Sequence, residues 1–187
     1  MLYGTPTARR RDAQRNRAAI LEAASEVLTA GEAVALMPEI ARRAGVGQAT
    51  LYRHFADRHA LVGAVITYQL DRLDALIAEH AGQPAEFRRL LCEVLHTQIA
   101  MRGLVSLVRR LDQVTQDRYR QRAVAAVAAP MKVAREQGFV RADLVPDDLA
   151  LLFAMVQGVA EGTDDVGAAR AAADRAVDLM LDGVFRG

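Results

Sequence analysis

An all-α fold is what these 187 residues predict. Apolar residues recur at three- and four-residue spacing along nearly the whole chain, and glycine and proline punctuate it about once per helix length. No stretch shows the two-residue alternation of a half-buried strand. With 52% hydrophobic and 25% charged residues the chain is too apolar for disorder and long enough to bury a sizeable core.

The first helix is expected over residues 13 to 30, where Ile20, Ala24, Val27 and Leu28 form one apolar stripe and Gly31 supplies a C-terminal stop. Pro38 then opens a second helix in its first turn, where the missing N–H is no loss, with Met37, Ile40, Ala41 and Ala44 inward. Gly45 closes it in a left-handed conformation, Val46 plugs the corner and Gly47 starts a third helix from Gln48 to Phe55. Asp57 caps a fourth, longer helix with apolar contacts from Leu61, Val65, Leu73, Leu76 and Ile77, broken by Gly82-Gln83-Pro84. Breaks at Gly103, around Asp117, at Gly138 with Pro146, and at Gly162 to Gly167 place further helices near 85 to 101, 104 to 114, 117 to 137, 147 to 161 and 168 to 184. There is no low-complexity stretch and no internal repeat.

The third helix is the informative one. Leu51 and Phe55, four residues apart, share one face, while Gln48, Thr50, Tyr52, Arg53 and His54 occupy the other. An ordinary solvated face carries flexible charges. This one offers an amide, hydroxyls, a phenol and a guanidinium, groups suited to phosphate oxygens and base edges. Charge supports DNA as the partner: the net charge is only +1, but residues 1 to 60 hold nine Arg against six Asp or Glu. Arg9, Arg10, Arg11, Arg15 and Arg17 give a basic N-terminal arm over residues 1 to 12 and just beyond, which either touches DNA or merely solubilises the chain. Tyr52 read alone fits a half-buried amphipathic position as well as a phosphate contact. Arg42 and Arg43 read as a solvated face.

The single cysteine, Cys92, makes no intrachain disulfide, and no apolar run approaches the roughly 18 residues of a membrane span, so a cytoplasmic protein with no membrane partner is expected. Glu93 and His96 have the Glu-x-x-His spacing of helical di-metal sites, but such a site needs a second copy and none is present. No metal, no cofactor and no catalytic residue is expected.

Ile20-Leu21, Ala23-Ala24, Gly31, Ile40-Ala41, Ala44-Gly45-Val46, Thr50 to Phe55 and Leu61 together resemble the DNA-binding domain of the tetracycline-repressor (TetR) family over roughly residues 15 to 65. The resemblance implies a helix-turn-helix domain over residues 13 to 60, followed by a helical ligand-binding and dimerisation domain over 61 to 187. It implies phosphate contacts from Thr50, Tyr52, His54 and Arg58, with Tyr52 also within reach of base methyl groups, and base contacts from Gln48, Ala49 and Arg53. Arg53 matches the O6 and N7 pair of guanine, and Gln48 the N6 and N7 pair of adenine. The chain departs from the family pattern at Ala35, Leu36 and Met37, which offer no capping oxygen, and at Pro38, where a polar residue is common.

Beyond residue 65 the resemblance is one of layout. Phe87, Leu91, Leu95, Met101, Val105, Leu107 and Tyr119, with His96 and Gln98 among them, are expected to line an apolar pocket for an unknown small-molecule effector. The helix at 147 to 161 is apolar nearly all round, so Leu149, Leu152, Phe153 and Val156, with Ala169, Ala173, Val177, Met180 and Leu181 of the last helix, are expected to form a homodimer interface. The function expected is a ligand-released repressor on a near-palindromic operator in double-stranded DNA. The alternative is a helical-bundle enzyme or small-molecule binding protein without operator binding.

Overall fold

The computed structural model describes residues 6–29, 36–80, 82–162 and 165–185, and nine α-helices run through them. These are α1 (Pro6–Thr29), α2 (Leu36–Arg43), α3 (Gln48–His54), α4 (Arg58–Glu79), α5 (Phe87–Ala100), α6 (Arg102–Val108), α7 (Gln113–Glu136), α8 (Pro146–Glu161) and α9 (Val166–Val184). Gly31 and Ala35 lie outside the described residues, as do Met1 to Thr5 of the arm. No single helix among the described residues is long and apolar enough to cross a membrane. The one piece of extended pairing among them is an isolated bridge between Val140 and Phe185.

The chain divides into two compact units, Met1–Tyr68 and Gln69–Gly187, with the boundary inside α4. In the first unit Ile20, Ala24, Val27 and Leu28 of α1, Ile40 and Ala41 of α2, Leu51 and Phe55 at α3, and Leu61 and Val65 of α4 are buried. The helical spacing of these residues is what makes one core from four helices. In the second unit α5, α7, α8 and α9 surround a larger core that includes Phe87, Leu91, Leu95, Val127, Met131, Leu149, Val156, Val177 and Leu181. Leu73, Leu76 and Ile77 of α4 pack against it, and Arg122 of α7 reaches Asp71 and Asp74 of α4 at 2.6 and 2.9 Å.

Several boundaries differ from the expected ones, each for a local reason. α1 begins at Pro6 rather than near residue 13, so the backbone from Pro6 to Asp12 is helical. The break expected at Gly103 falls at Met101, between α5 and α6, and Gly103 itself lies inside α6 without turning left-handed. Gly45, Gly82 and Gly138 do turn so, at φ of 65°, 78° and 78°. α7 starts at Gln113 rather than at Asp117, because Asp112 is its cap: the Asp112 carboxylate accepts the Thr115 N–H at 2.9 Å and the Thr115 hydroxyl at 2.7 Å. Asp117 instead accepts from Gln113 and Arg120. α7 also passes through Pro130 without ending.

Packing of the second unit encloses most of the expected dimer residues within their own subunit. Leu149, Val156, Ala169, Ala173 and Val177 are fully buried in their own chain, with Leu152 and Leu181 nearly so. Side chains already enclosed by their own subunit have no surface left for a partner, and only Phe153 and Met180 of that set are partly exposed. The second apolar side of α8 is the open one: Leu151 is 61% exposed and Met155 55%, and Leu179 of α9 is 56% exposed.

Candidate nucleic-acid interface

α3 is built by the corner that precedes it. The carbonyl of Ala41 accepts the Val46 N–H at 3.0 Å and that of Arg42 accepts the Gly45 N–H at 3.2 Å, a reverse turn that requires the left-handed conformation of Gly45. Gly47 is extended, and its carbonyl accepts the N–H groups of Thr50 and Leu51. The helix that follows is only Gln48–His54, so Phe55 closes it rather than belonging to it, with its N–H on the Leu51 carbonyl.

Leu51 and Phe55 are both buried, which fixes the rotation of α3 and sends the other face outward. Gln48, Ala49, Tyr52 and Arg53 are exposed, Tyr52 by 49%, while Thr50 and His54 are half-buried. Tyr52 is thus not enclosed in the core, and about half of its surface is open. Arg53 is folded along its own helix: Nη2 donates to the Thr50 hydroxyl at 2.9 Å and Nε to the Ala49 carbonyl at 3.3 Å. Arg17 of α1 lies over the Phe55 ring, 5.3 Å from its centre. The Asp57 carboxylate accepts the Ala60 N–H at 2.8 Å, capping α4 as expected, and leaves Arg58 exposed at the first position of that helix.

Glu39 of α2 was missed by sequence reasoning, although its spacing to Arg42 and Arg43 was visible. Its carboxylate accepts from Arg42 at 2.7 and 2.8 Å and from Arg43 at 2.6 Å. Hydrogen bonds from Arg42 first, then Arg43, pull the Glu39 carboxyl down to about 2. Two of the unit's arginines thus share one carboxylate, which agrees with reading Arg42 and Arg43 as a solvated face.

In the second unit the expected pocket residues fall into two groups. Phe87, Leu91 and Leu95 are buried in the core of the unit, whereas His96, Gln98, Met101, Val105, Leu107 and Tyr119 are half-buried. Gln98 donates to the Phe153 carbonyl at 2.7 Å, joining α5 to α8. His96 Nδ1 is 2.8 Å from the Cys92 carbonyl and Nε2 is 3.3 Å from Asp174. Glu93 takes Arg89 at 3.0 Å, and no group of three or more metal-ligating side chains occurs among the described residues. Burial first, and Asp178 beside it, push the Cys92 thiol up, and its Sγ lies 3.3 Å from His96 Nδ1.

Three comparisons bear on this arrangement. The family model described as bacterial regulatory proteins, tetR family, matches residues 20–65, the segment that forms the corner and the exposed α3 face. A curated HTH-type transcriptional regulator of Staphylococcus aureus (strain MRSA252) is 33% identical over 82 residues, a match spanning 41% of this chain and 43% of that regulator, less than half of its length. The crystal structure of a TetR transcription regulatory protein from Mycobacterium vanbaalenii is 30% identical with a TM-score of 0.72, over 95% of this chain and 99% of that one. A TetR transcriptional regulator from Streptomyces coelicolor is also 30% identical, again with a TM-score of 0.72, over 90% of this chain and 98% of its own.

Proposed function

The chain belongs to the tetR family of bacterial regulatory proteins, and from that premise we propose that it is a repressor that leaves a near-palindromic operator when a small molecule enters its second unit. The observation that bears most weight is α3: Leu51 and Phe55 anchor it while Gln48, Ala49, Tyr52 and Arg53 stand exposed on the opposite face. On this reading Thr50, Tyr52, His54 and Arg58 hold the phosphate backbone, and Arg53 and Gln48 read bases in the major groove with Ala49 against a base edge. The place of action is the bacterial cytoplasm, where the DNA is.

A homodimer follows from the need to present two recognition helices to two half-sites about 34 to 36 Å apart. Its surface is the open side of α8 and α9, at Leu151, Met155 and Leu179, continued by the partly exposed Phe153 and Met180. The effector enters where α5, α6 and α8 meet, among the half-buried Gln98, Met101, Val105 and Leu107. Such a ligand acts only if it binds the DNA-incompetent arrangement more tightly, with a coupling of about 1 to 3 kcal/mol.

Retention on mixed DNA that falls steeply with salt, together with selection of a two-fold symmetric sequence from a random pool, is the expected result. Failure to retain DNA at low salt, with a chromophore or metal bound instead, would return the enzyme or binding-protein alternative.

A further inference from the structure

Gln157 of α8 is the polar side chain among the described residues that is buried with the core, at 7% exposure. Its two amide ends fare differently. Nε2 donates to Glu161 Oε1 at 2.5 Å, and turning the amide over would set two oxygens against each other, so its orientation is fixed by chemistry. Oε1 is then left with no hydrogen-bond partner among the described residues. A buried acceptor without a donor destabilises a fold, and a leucine or methionine of similar size would avoid it.

Neighbouring groups do not supply the missing proton. Burial raises the Glu161 carboxyl, but hydrogen bonds from Gln157 and Arg109 outweigh it and bring the carboxyl below its usual range, so Glu161 stays ionised and accepts only. Arg109 Nη1, at the end of α6, is directed at Glu161, and Gln98 Nε2, from α5, at the Phe153 carbonyl. Phe153 and Glu161 lie one helical turn before and one after Gln157. Gln157 therefore lies on α8 between the positions of these two polar bridges, to α5 and to α6. Leu104 of α6, Ile99 of α5 and Ala160 of α8 add buried apolar surface on these same elements.

We propose that Gln157 Oε1 is the anchoring acceptor of a buried site for a small, uncharged organic molecule that carries one hydroxyl or N–H donor on an apolar body. An anion would bring no donor and would meet Glu161. A cation would find that carboxylate already neutralised by Arg109 and would be left unsolvated among apolar side chains. The regulatory meaning of the site rests on the ligand-release reading above, while the site itself does not.

The test uses the full-length chain and matched probe pairs at millimolar concentration: benzyl alcohol against benzyl methyl ether, and N-methylbenzamide against N,N-dimethylbenzamide. Binding is followed by ligand-observed NMR and DNA retention is measured in the same samples, for wild type and Gln157→Met. Wild type should bind the donor-bearing member of each pair roughly two- to tenfold more tightly. Gln157→Met should melt no lower than wild type and show no such preference; Gln157→Leu replaces it should the Met variant not fold, and the wild-type preference needs no variant. Equal binding within each pair, a preference that survives in Gln157→Met, or no binding of any donor-bearing probe overturns the site. Probes that bind with the stated preference but leave DNA retention unchanged support the site and count against the ligand-release reading. Probes that release DNA without any dependence on Gln157 do the reverse.

Discussion

Residue by residue, the exposed α3 face separates side chains by what they can read. Arg53 carries the planar fork that suits guanine, whereas the Tyr52 phenol offers one hydroxyl to a phosphate oxygen. Arg53→Ala should relax sequence preference at one base step by about 1 to 3 kcal/mol. Tyr52→Phe should weaken all sequences by a similar factor, and selection from a random pool followed by titration distinguishes the two. Glu39 gives a second expectation: Glu39→Gln removes the carboxylate that Arg42 and Arg43 share, and should strengthen binding to any DNA and steepen its salt dependence. Because the Glu39 carboxyl is depressed to about 2, its ion pairs are complete above its ordinary range and lost only as the pH falls toward that value. DNA affinity should therefore show no titration from Glu39 between about pH 4 and pH 8. The α3 face was legible in the sequence because one short helix holds both its anchors and its polar groups. Glu39 was equally visible, but an i, i+3 and i, i+4 acidic partner looks like routine surface pairing until the distances are known.

Elements were legible where their signals were chemically unique and misplaced where one residue type serves two ends. Gly45 and Gly138 stop helices because both turn left-handed, while Gly103 has no such duty and is simply helical. Asp112 and Asp117 are the same residue five positions apart, and only the first faces an orphan N–H three residues on. That cap is open to test. The Asp112 carboxyl is lowered, by the Thr115 hydroxyl first and the Thr115 N–H next, so its contribution is present above the unfolded value of 3.8 and is lost as pH falls through the folded one. Asp112→Ala should lower the melting temperature at neutral pH. Asp112→Asn should keep most of it, since Asn caps comparably, and should remove this residue's part of the acid dependence. Thermal melts across an acid series measure both.

At the scale of the whole molecule the sequence showed that α8 has two apolar sides but not which side the subunit keeps for itself. Leu149, Leu152 and Val156 differ from Leu151 and Met155 only in their angle around the helix axis, and that angle is set by where α5, α7 and α9 lie. The structure assigns the first set to the core and leaves the second exposed. Leu151→Glu with Met155→Glu should yield a folded monomer by light scattering, because both side chains are solvated in the single chain. Half-site binding should survive at much reduced affinity, as one recognition helix loses the reinforcement of its twin. Retention of a dimer by the double variant would place the interface elsewhere.

The Arg53 contacts with Thr50 and Ala49 bear on how recognition is timed. An unrestrained arginine gives up roughly 2 kcal/mol of rotamer freedom when it is pinned against a base. Here two of its five N–H groups are already directed along α3, to the Thr50 hydroxyl and the Ala49 carbonyl, and three remain for a guanine that needs two. Much of the ordering is thus complete before DNA arrives, and encounter requires less searching among side-chain conformers. On the proposed assignment Thr50 holds phosphate, and its hydroxyl also sets how sharply Arg53 reads its base. Thr50→Val keeps the shape and removes the hydroxyl, so it should blunt discrimination at the base that Arg53 contacts as well as weakening the backbone hold, and pool selection would show both.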